Sequence, residues 1–189
     1  MSEFKLSGGV EKALSDVDIK NILGDQAKVL IYKDLYNYNT IEELLQPEGA
    51  AVILYETNKT SGGSSFGHWT CVFNGKPVLI EGVITPCIYY FDSYGNPIDD
   101  PLHSIDPKFR IKNKEDFMYL STLLGLCPYE VDYNDYQFQN ESEGVNTCGR
   151  HCITRILHDD LDAEEYIDLF KNEPGVSSDL LVTEYTNSL

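Results

Sequence analysis

Apolar positions along this chain keep two rhythms. Across residues 15–24 they recur at helical spacing, with Ile19, Ile22 and Leu23 on one face. Ser15 and Asp18 stand at capping-box spacing, with an acidic third residue in place of Glu or Gln, and Leu14 is set to staple onto Ile19. Residues 28–32 read as a short strand. Thr40 and Glu43 repeat the capping-box spacing ahead of a short helix, residues 40–45, that stops at Gln46-Pro47. Residues 50–55 are apolar throughout, as a central strand is. Residues 60–65 predict a flexible loop. Residues 68–73, 77–84 and 88–92 then read as successive strands, divided by turn residues such as Asn74-Gly75.

The second half is mostly helical in rhythm. Residues 114–124 are amphipathic through Phe117, Leu120, Leu123 and Leu124. Residues 129–139 alternate, with Val131, Tyr133, Tyr136 and Phe138 on the buried side, and read as a strand with a break in phase. Residues 140–147 are a polar loop. Helices are expected over 148–158 and 162–171, the second closed by Pro174-Gly175, and residues 179–185 as a last helical turn or strand. Helices flanking a central, mostly antiparallel sheet make an α+β fold.

Length adds that this is one domain. A chain of 189 residues with 42% hydrophobic residues buries a substantial core. The expectation is a single domain over 1–189, with residues 1–12 as a flexible N-terminal arm. No apolar run approaches the ~20 residues of a membrane span, and the first residues lack the regions of a signal peptide. An intracellular, reducing setting is expected. Five cysteines, an odd number without framework spacing, fit it. Charge is the strongest exclusion. With 31 acidic and 14 basic residues, the net charge is −17. The basic run at 108–114 alternates with Phe109 and Ile111 and fits a solvated strand or helix edge. Nucleic acid would be repelled over most of the surface, so a neutral-to-basic protein is the expected partner.

Candidate chemistry centres on residues 146–152, Asn-Thr-Cys-Gly-Arg-His-Cys. A polar approach meets an apolar-periodic segment at Cys148-Gly149, which sets Cys148 at the first turn of a buried helix. Unpaired N–H groups and the positive end of the helix dipole favour a thiolate there. A cysteine nucleophile needs an imidazole as base, and the imidazole needs an acid to orient it. His68, in Gly67-His68-Trp69, and Asp92, in Phe91-Asp92-Ser93, stand at strand ends upstream. Gln139 supplies an amide for an oxyanion hole, with Gln137 as its rival: both face the same side of a strand.

His-Trp on one strand, Phe-Asp-Ser-Tyr-Gly at a strand end, an upstream Gln and Asn-Thr-Cys-Gly before a helix resemble the adenovirus-type cysteine proteases. The order His, Asp, Cys also marks the related proteases of ubiquitin-like proteins such as SUMO, whereas papain-like enzymes run Cys then His. The nearest look is to maturation proteases of large DNA viruses, virophages and Polinton-like elements. The resemblance spans roughly residues 14–158. It implies His68 as general base, Asp92 as its orienting acid, Cys148 as nucleophile and Gln139 as oxyanion donor. Trp69 becomes the wall of a narrow cleft that admits glycine-rich sequence, against an alternative in plain core packing. Two spacings depart from the family: His68 to Asp92 is long, which suggests a hairpin around 75–77, and Gln139 to Cys148 is long, which keeps Gln137 in play.

The expected activity is therefore a cysteine endopeptidase that processes capsid or virion precursor proteins after small residues, without cofactor or metal. A deconjugase of SUMO or ubiquitin-like proteins, or a silent binding module of the same fold, stand as alternatives. Zinc is the rival chemistry, through His68, Cys71, Cys148, His151 and Cys152. Their spacing is not that of a zinc knuckle, and Cys152, one helical turn past Cys148, is expected to pack in the core. Self-cleavage after Gly8-Gly9 is conceivable, but an N-terminal arm is the plainer reading. An activating peptide is open, and the charge predicts no stimulation by DNA. The expected location is the host cytoplasm, virus factory or nucleus, and the virion.

Overall fold

The computed structural model describes residues 6–59, 65–173 and 175–189. Helix α1, Asp16–Leu23, opens on the expected capping box: Ser15 accepts from the Asp18 N–H, and the Asp18 carboxylate takes the Ser15 N–H. Leu14 and Ile19 are both buried in one cluster. Strand β1, Lys28–Ile31, leads through a short 3-10 turn to α2, Ile41–Leu45, whose N-cap Thr40 accepts from the Glu43 N–H. Here only half of the box forms, because the Glu43 carboxylate reaches the Asn39 N–H instead.

Strands β2, Ala50–Lys59, β3, Ser65–Ile80, and β4, Val83–Phe91, form an antiparallel meander. β5, Glu130–Tyr133, closes a five-stranded sheet of order β1-β2-β3-β4-β5. Both edge strands join in parallel, which their helical crossovers require. Between β4 and β5 lie α3, Pro107–Asn113, and α4, Tyr119–Gly125. After β5 come α5, Cys148–Ile156, α6, Ala163–Lys171, and α7, Ser178–Ser188.

Alternation along the strands divides the core. Ala50, Val52, Leu54, Trp69, Cys71, Phe73 and Phe91 face a layer that includes α1 and α5. Ala51, Ile53, Tyr55, Val72, Ile88 and Tyr90 face a second layer that includes α2 and α4. α5 is buried almost all round, which suits a helix pressed between the sheet and α7.

Several expectations are corrected. The strands read at 68–73 and 77–84 are largely one strand, β3, with a register irregularity between Gly75 and Val78. The turn is not at Asn74-Gly75 but at Glu81-Gly82, both at positive φ (49° and 81°), a two-residue hairpin geometry. The extra length between His68 and Asp92 is this hairpin, and its tip exposes Leu79 and Ile84. The helix read at 114–124 begins only at Tyr119, because Lys114, at φ 60°, ends α3. The strand read at 129–139 stops at Tyr133, where Asn134 turns inward. Residues 179–185 lie within a full helix. The flexible loop expected at 60–65 lies, up to residue 64, outside the described residues.

The N-terminal arm is corrected too, over the residues described. Leu6 is buried, and the Gly8 carbonyl accepts from Arg150 Nη2 (3.2 Å) and Asn187 Nδ2 (3.0 Å). The Val10 and Glu11 carbonyls accept from the Asn146 N–H and Asn146 Nδ2. Apolar burial and four hydrogen bonds hold down a segment that polarity alone reads as loose. Residues 1–5 lie outside the described set.

Candidate active site

His68 sits on β3, one residue past Gly67, and Gly67 is required by contact. A Cβ there would lie 1.9 Å from the Tyr55 carbonyl of β2. Asp92 follows the last residue of β4, so adjacent strands deliver the imidazole and the carboxylate to one end of the sheet. His68 Nε2 lies 3.0 Å from Asp92 Oδ1. The same oxygen accepts the Tyr94 N–H at 2.8 Å. Asp92 is fully buried. Its backbone is fixed by Asn134, whose Oδ1 accepts the Asp92 N–H (3.0 Å) and whose Nδ2 donates to the Asp92 carbonyl (2.6 Å). The Tyr94 ring stacks on the imidazole, centroids 4.9 Å apart at 24°.

With Nε2 turned to Asp92, the other ring nitrogen, Nδ1, is left for a second partner. Cys148 lies close enough to raise the proton affinity of the imidazole. Burial alone would lower the His68 pKa. The Asp92 charge and hydrogen bond, with the neighbouring Cys148, outweigh it and raise the pKa to about 10. The imidazolium is the favoured form at neutral pH.

Cys148 is the first residue of α5 and partly buried. At that position the helix presents unpaired N–H groups. Gly149 lets the helix start approach its neighbours: a Cβ there would lie 3.2 Å from Leu14 Cβ, 3.3 Å from Trp69 Cδ1 and 3.4 Å from Ile19 Cδ1. Cys148 opens onto a cleft of about 430 Å³ with Leu14, Leu54, Phe66, Gly67, Trp69 and Asn146 along its walls. Trp69 is mostly buried, and its Nε1 donates to the Leu14 carbonyl at 3.0 Å. It is both core residue and cleft wall.

Gln139 and Gln137 lie in the loop after β5, not on a strand, so they do not share a face. Gln139 is buried. Its Oε1 accepts from Ser93 Oγ (2.7 Å), its Nε2 donates to the Val145 carbonyl (3.2 Å), and its backbone N–H bonds the Ser93 carbonyl. The amide nitrogen keeps a second hydrogen to donate. Gln139 thus bridges the Asp92-Ser93 end of β4 and the loop entering Cys148. Gln137 is exposed, its Nε2 donating to the Gln139 carbonyl at 3.0 Å.

The residues of the zinc reading disperse into other roles. Cys71 Sγ meets the Cys152 carbonyl at 4.0 Å in the core, and burial beside Cys71 pushes the Cys152 thiol well above the ordinary range. Among the described residues no three His, Cys, Asp or Glu gather as metal ligands. Sequence reasoning missed Asn134 as the brace of Asp92 and Tyr94 as the platform of His68. Tyr94 had a signal, in Phe-Asp-Ser-Tyr-Gly. Asn134 had none beyond the break in strand phase.

No family model matches the chain. Over 177 residues it is 36% identical to "Uncharacterized protein V9" of Sputnik virophage, a match covering 92% of this chain and 94% of that protein. The chain belongs to the V9 family. Solved structures resemble this V9-family chain at a distance. ASFV pS273R protease is 13% identical with a TM-score of 0.49, covering 97% of this chain and 70% of that one. The central domain of the Lpg1148 protein from Legionella pneumophila is 16% identical at 0.43, covering 94% and 96%. A de-sumoylating protease is 15% identical at 0.35, covering 94% and 73%. The virophage group named by the sequence motifs thus has a counterpart in the V9 relative.

Proposed function

We propose that this V9-family protein is a cysteine endopeptidase in which Cys148 is the nucleophile, His68 the general base and acid, Asp92 its orienting carboxylate and Gln139 an oxyanion donor. The observation that carries the reading is one imidazole held by a buried carboxylate through Nε2 and electrostatically coupled to a cysteine at a helix N-terminus, beside an open cleft.

The Cys148 thiolate attacks the peptide carbonyl carbon, and the carbonyl electron pair moves onto oxygen. Gln139 and the Cys148 N–H stabilise that oxyanion. As it collapses, the C–N bond breaks and the His68 imidazolium gives its proton to the departing amine. Water then loses a proton to His68 and attacks the thioester carbonyl. The C–S bond breaks, releasing the acid and restoring the thiolate with the imidazolium.

The substrate class is a protein of the virion, such as a capsid precursor, cut after a small residue. The relative in a virophage supports the viral setting, and the cleft beside Trp69 and Leu14 suits a narrow chain. The acidic chain, at −17, favours a neutral-to-basic substrate and no stimulation by DNA. The expected site of action is inside the infected cell and the virion.

Wild type and Cys148→Ala are to be compared on Gly-Gly peptides, capsid-precursor segments, and SUMO and ubiquitin fusions. Peptide and precursor cleavage abolished by Cys148→Ala is expected. Cleavage of the fusions alone would make it a deconjugase instead. Equal activity of wild type and Cys148→Ala would refute the mechanism, and no cleavage by wild type would leave a binding module of this fold.

A further inference from the structure

The first turn of α7 lies far from Cys148 in sequence, yet grips both segments that carry the proposed oxyanion donors. Asp179 is 4% exposed and spends each carboxylate oxygen on a different segment. Oδ2 accepts the Asn140 N–H at 3.0 Å, next to Gln139. Oδ1 accepts the Thr147 hydroxyl, immediately before Cys148, and faces His151 Nε2 at 3.1 Å, three residues after it. Beside it, the Ser178 hydroxyl donates to the Phe138 carbonyl, on the other side of Gln139. The peptide units flanking Gln139 and the two residues bracketing Cys148 therefore meet at one helix end.

We propose that Asp179 is a positioning residue: its carboxylate sets the separation of Gln139 from the Cys148 turn and so shapes the oxyanion site. This rests on the protease reading above. The grip is not made locally. Thr147 is the N-cap of α5, but its hydroxyl caps no N–H of its own helix and points to Asp179 instead. The first amides of α5 are left unspent for an oxyanion. Burial lowers the His151 pKa, so a neutral imidazole donates its Nε2–H to the carboxylate. Hydrogen bonds from His151, Thr147 and Asn140 in turn hold Asp179 below the usual carboxylate range against its burial. His68 and Asp92 stand on β3 and at the end of β4, outside this grip, which gives the proposal a distinct signature.

The test compares wild type, Asp179→Asn and Asp179→Ala. The amide keeps one acceptor oxygen but cannot accept the Asn140 N–H as well. For Asp179→Asn, kcat on a Gly-Gly peptide is expected to fall roughly 10- to 100-fold with KM within about twofold. Alkylation of Cys148 by iodoacetamide, which forms no oxyanion, is expected to stay within about threefold of wild type. Amide exchange over residues 138–149 in Asp179→Ala is expected to rise about tenfold or more, with the β2–β4 amides unchanged. Unchanged kcat in the folded variants would overturn the proposal, as would kcat and alkylation falling together. Wild type that cleaves nothing would sink the protease reading alone. The exchange measurement still judges the brace in that case, and unaltered exchange at 138–149 would reject it.

Discussion

Replacing Asp92 by Asn removes one charge from the candidate site and little of its shape. The buried Oδ1 takes His68 Nε2 at 3.0 Å and the Tyr94 N–H at 2.8 Å, and an amide oxygen can keep both. What disappears is the anion that favours the imidazolium. The His68 pKa stands at about 10 against an ordinary 6.5. That gap is about 5 kcal/mol in favour of the cation, at 1.36 kcal/mol per unit. Burial opposes it, and Asp92 is the largest of the contributions that support it. If Asp92 supplies about half, its loss costs about 2–3 kcal/mol of imidazolium stability and lowers kcat/KM roughly 30- to 150-fold. The assay is steady-state cleavage of a Gly-Gly peptide between about pH 5 and about pH 10. In wild type, the alkaline limb of kcat/KM reports loss of the His68 proton near the upper end. In Asp92→Asn that limb is expected to move down toward neutrality. A rate within about threefold of wild type, with the limb in place, would refute the assignment of Asp92.

Stability carries the same signature. The His68 pKa is raised in the fold, so its contribution is complete below the unfolded value near 6.5 and is lost as pH climbs through about 10. Wild type is expected to lose up to a few kcal/mol more than His68→Gln between about pH 7 and about pH 10 in denaturant titrations; equal slopes would count against the pair. Gly149→Ala tests the packing of the Cys148 turn. Helix propensity favours Ala, but the new methyl would crowd Leu14, Trp69 and Ile19 at 3.2–3.4 Å. A net loss of about 1–2 kcal/mol is expected, lowering the melting temperature by about 2–8 °C, along with activity. A melting temperature at or above that of wild type would mean that the neighbours yield freely.

Much of the fold was legible because its signals are local. The capping box at Ser15 and Asp18, the apolar run at 50–55 and the helix beginning at Cys148 each follow from spacing within a few residues. The hairpin turn was misplaced because Asn74-Gly75 is the stronger turn signal in isolation. In the fold, Gly75 instead packs against Tyr89, with a Cβ built there 3.2 Å from Tyr89 Cβ. The last strand was overextended because Tyr136 and Phe138 keep the alternation of a strand while packing from a loop, Tyr136 on Phe138 and Phe138 on Phe170 and Tyr166. Tyr133, placed on the buried side by the same alternation, is exposed, so the pattern fixes neither burial at every position nor backbone pairing.

Sequence alone determined the residue types and their order, His68, Asp92, Gln139, Cys148, because each announces itself by a short motif at an element's end. It also determined the acid surface, since charge is additive and needs no coordinates. Only the tertiary structure decided which imidazole nitrogen meets Asp92, that Gln139 rather than Gln137 is buried, and that Asn134, the N-terminal segment and Asp179 hydrogen-bond to the segments around Asp92, Gln139 and Cys148. These are long-range hydrogen bonds between segments up to 179 residues apart in the chain. Their partners are chosen by packing, and no periodicity along the sequence encodes them.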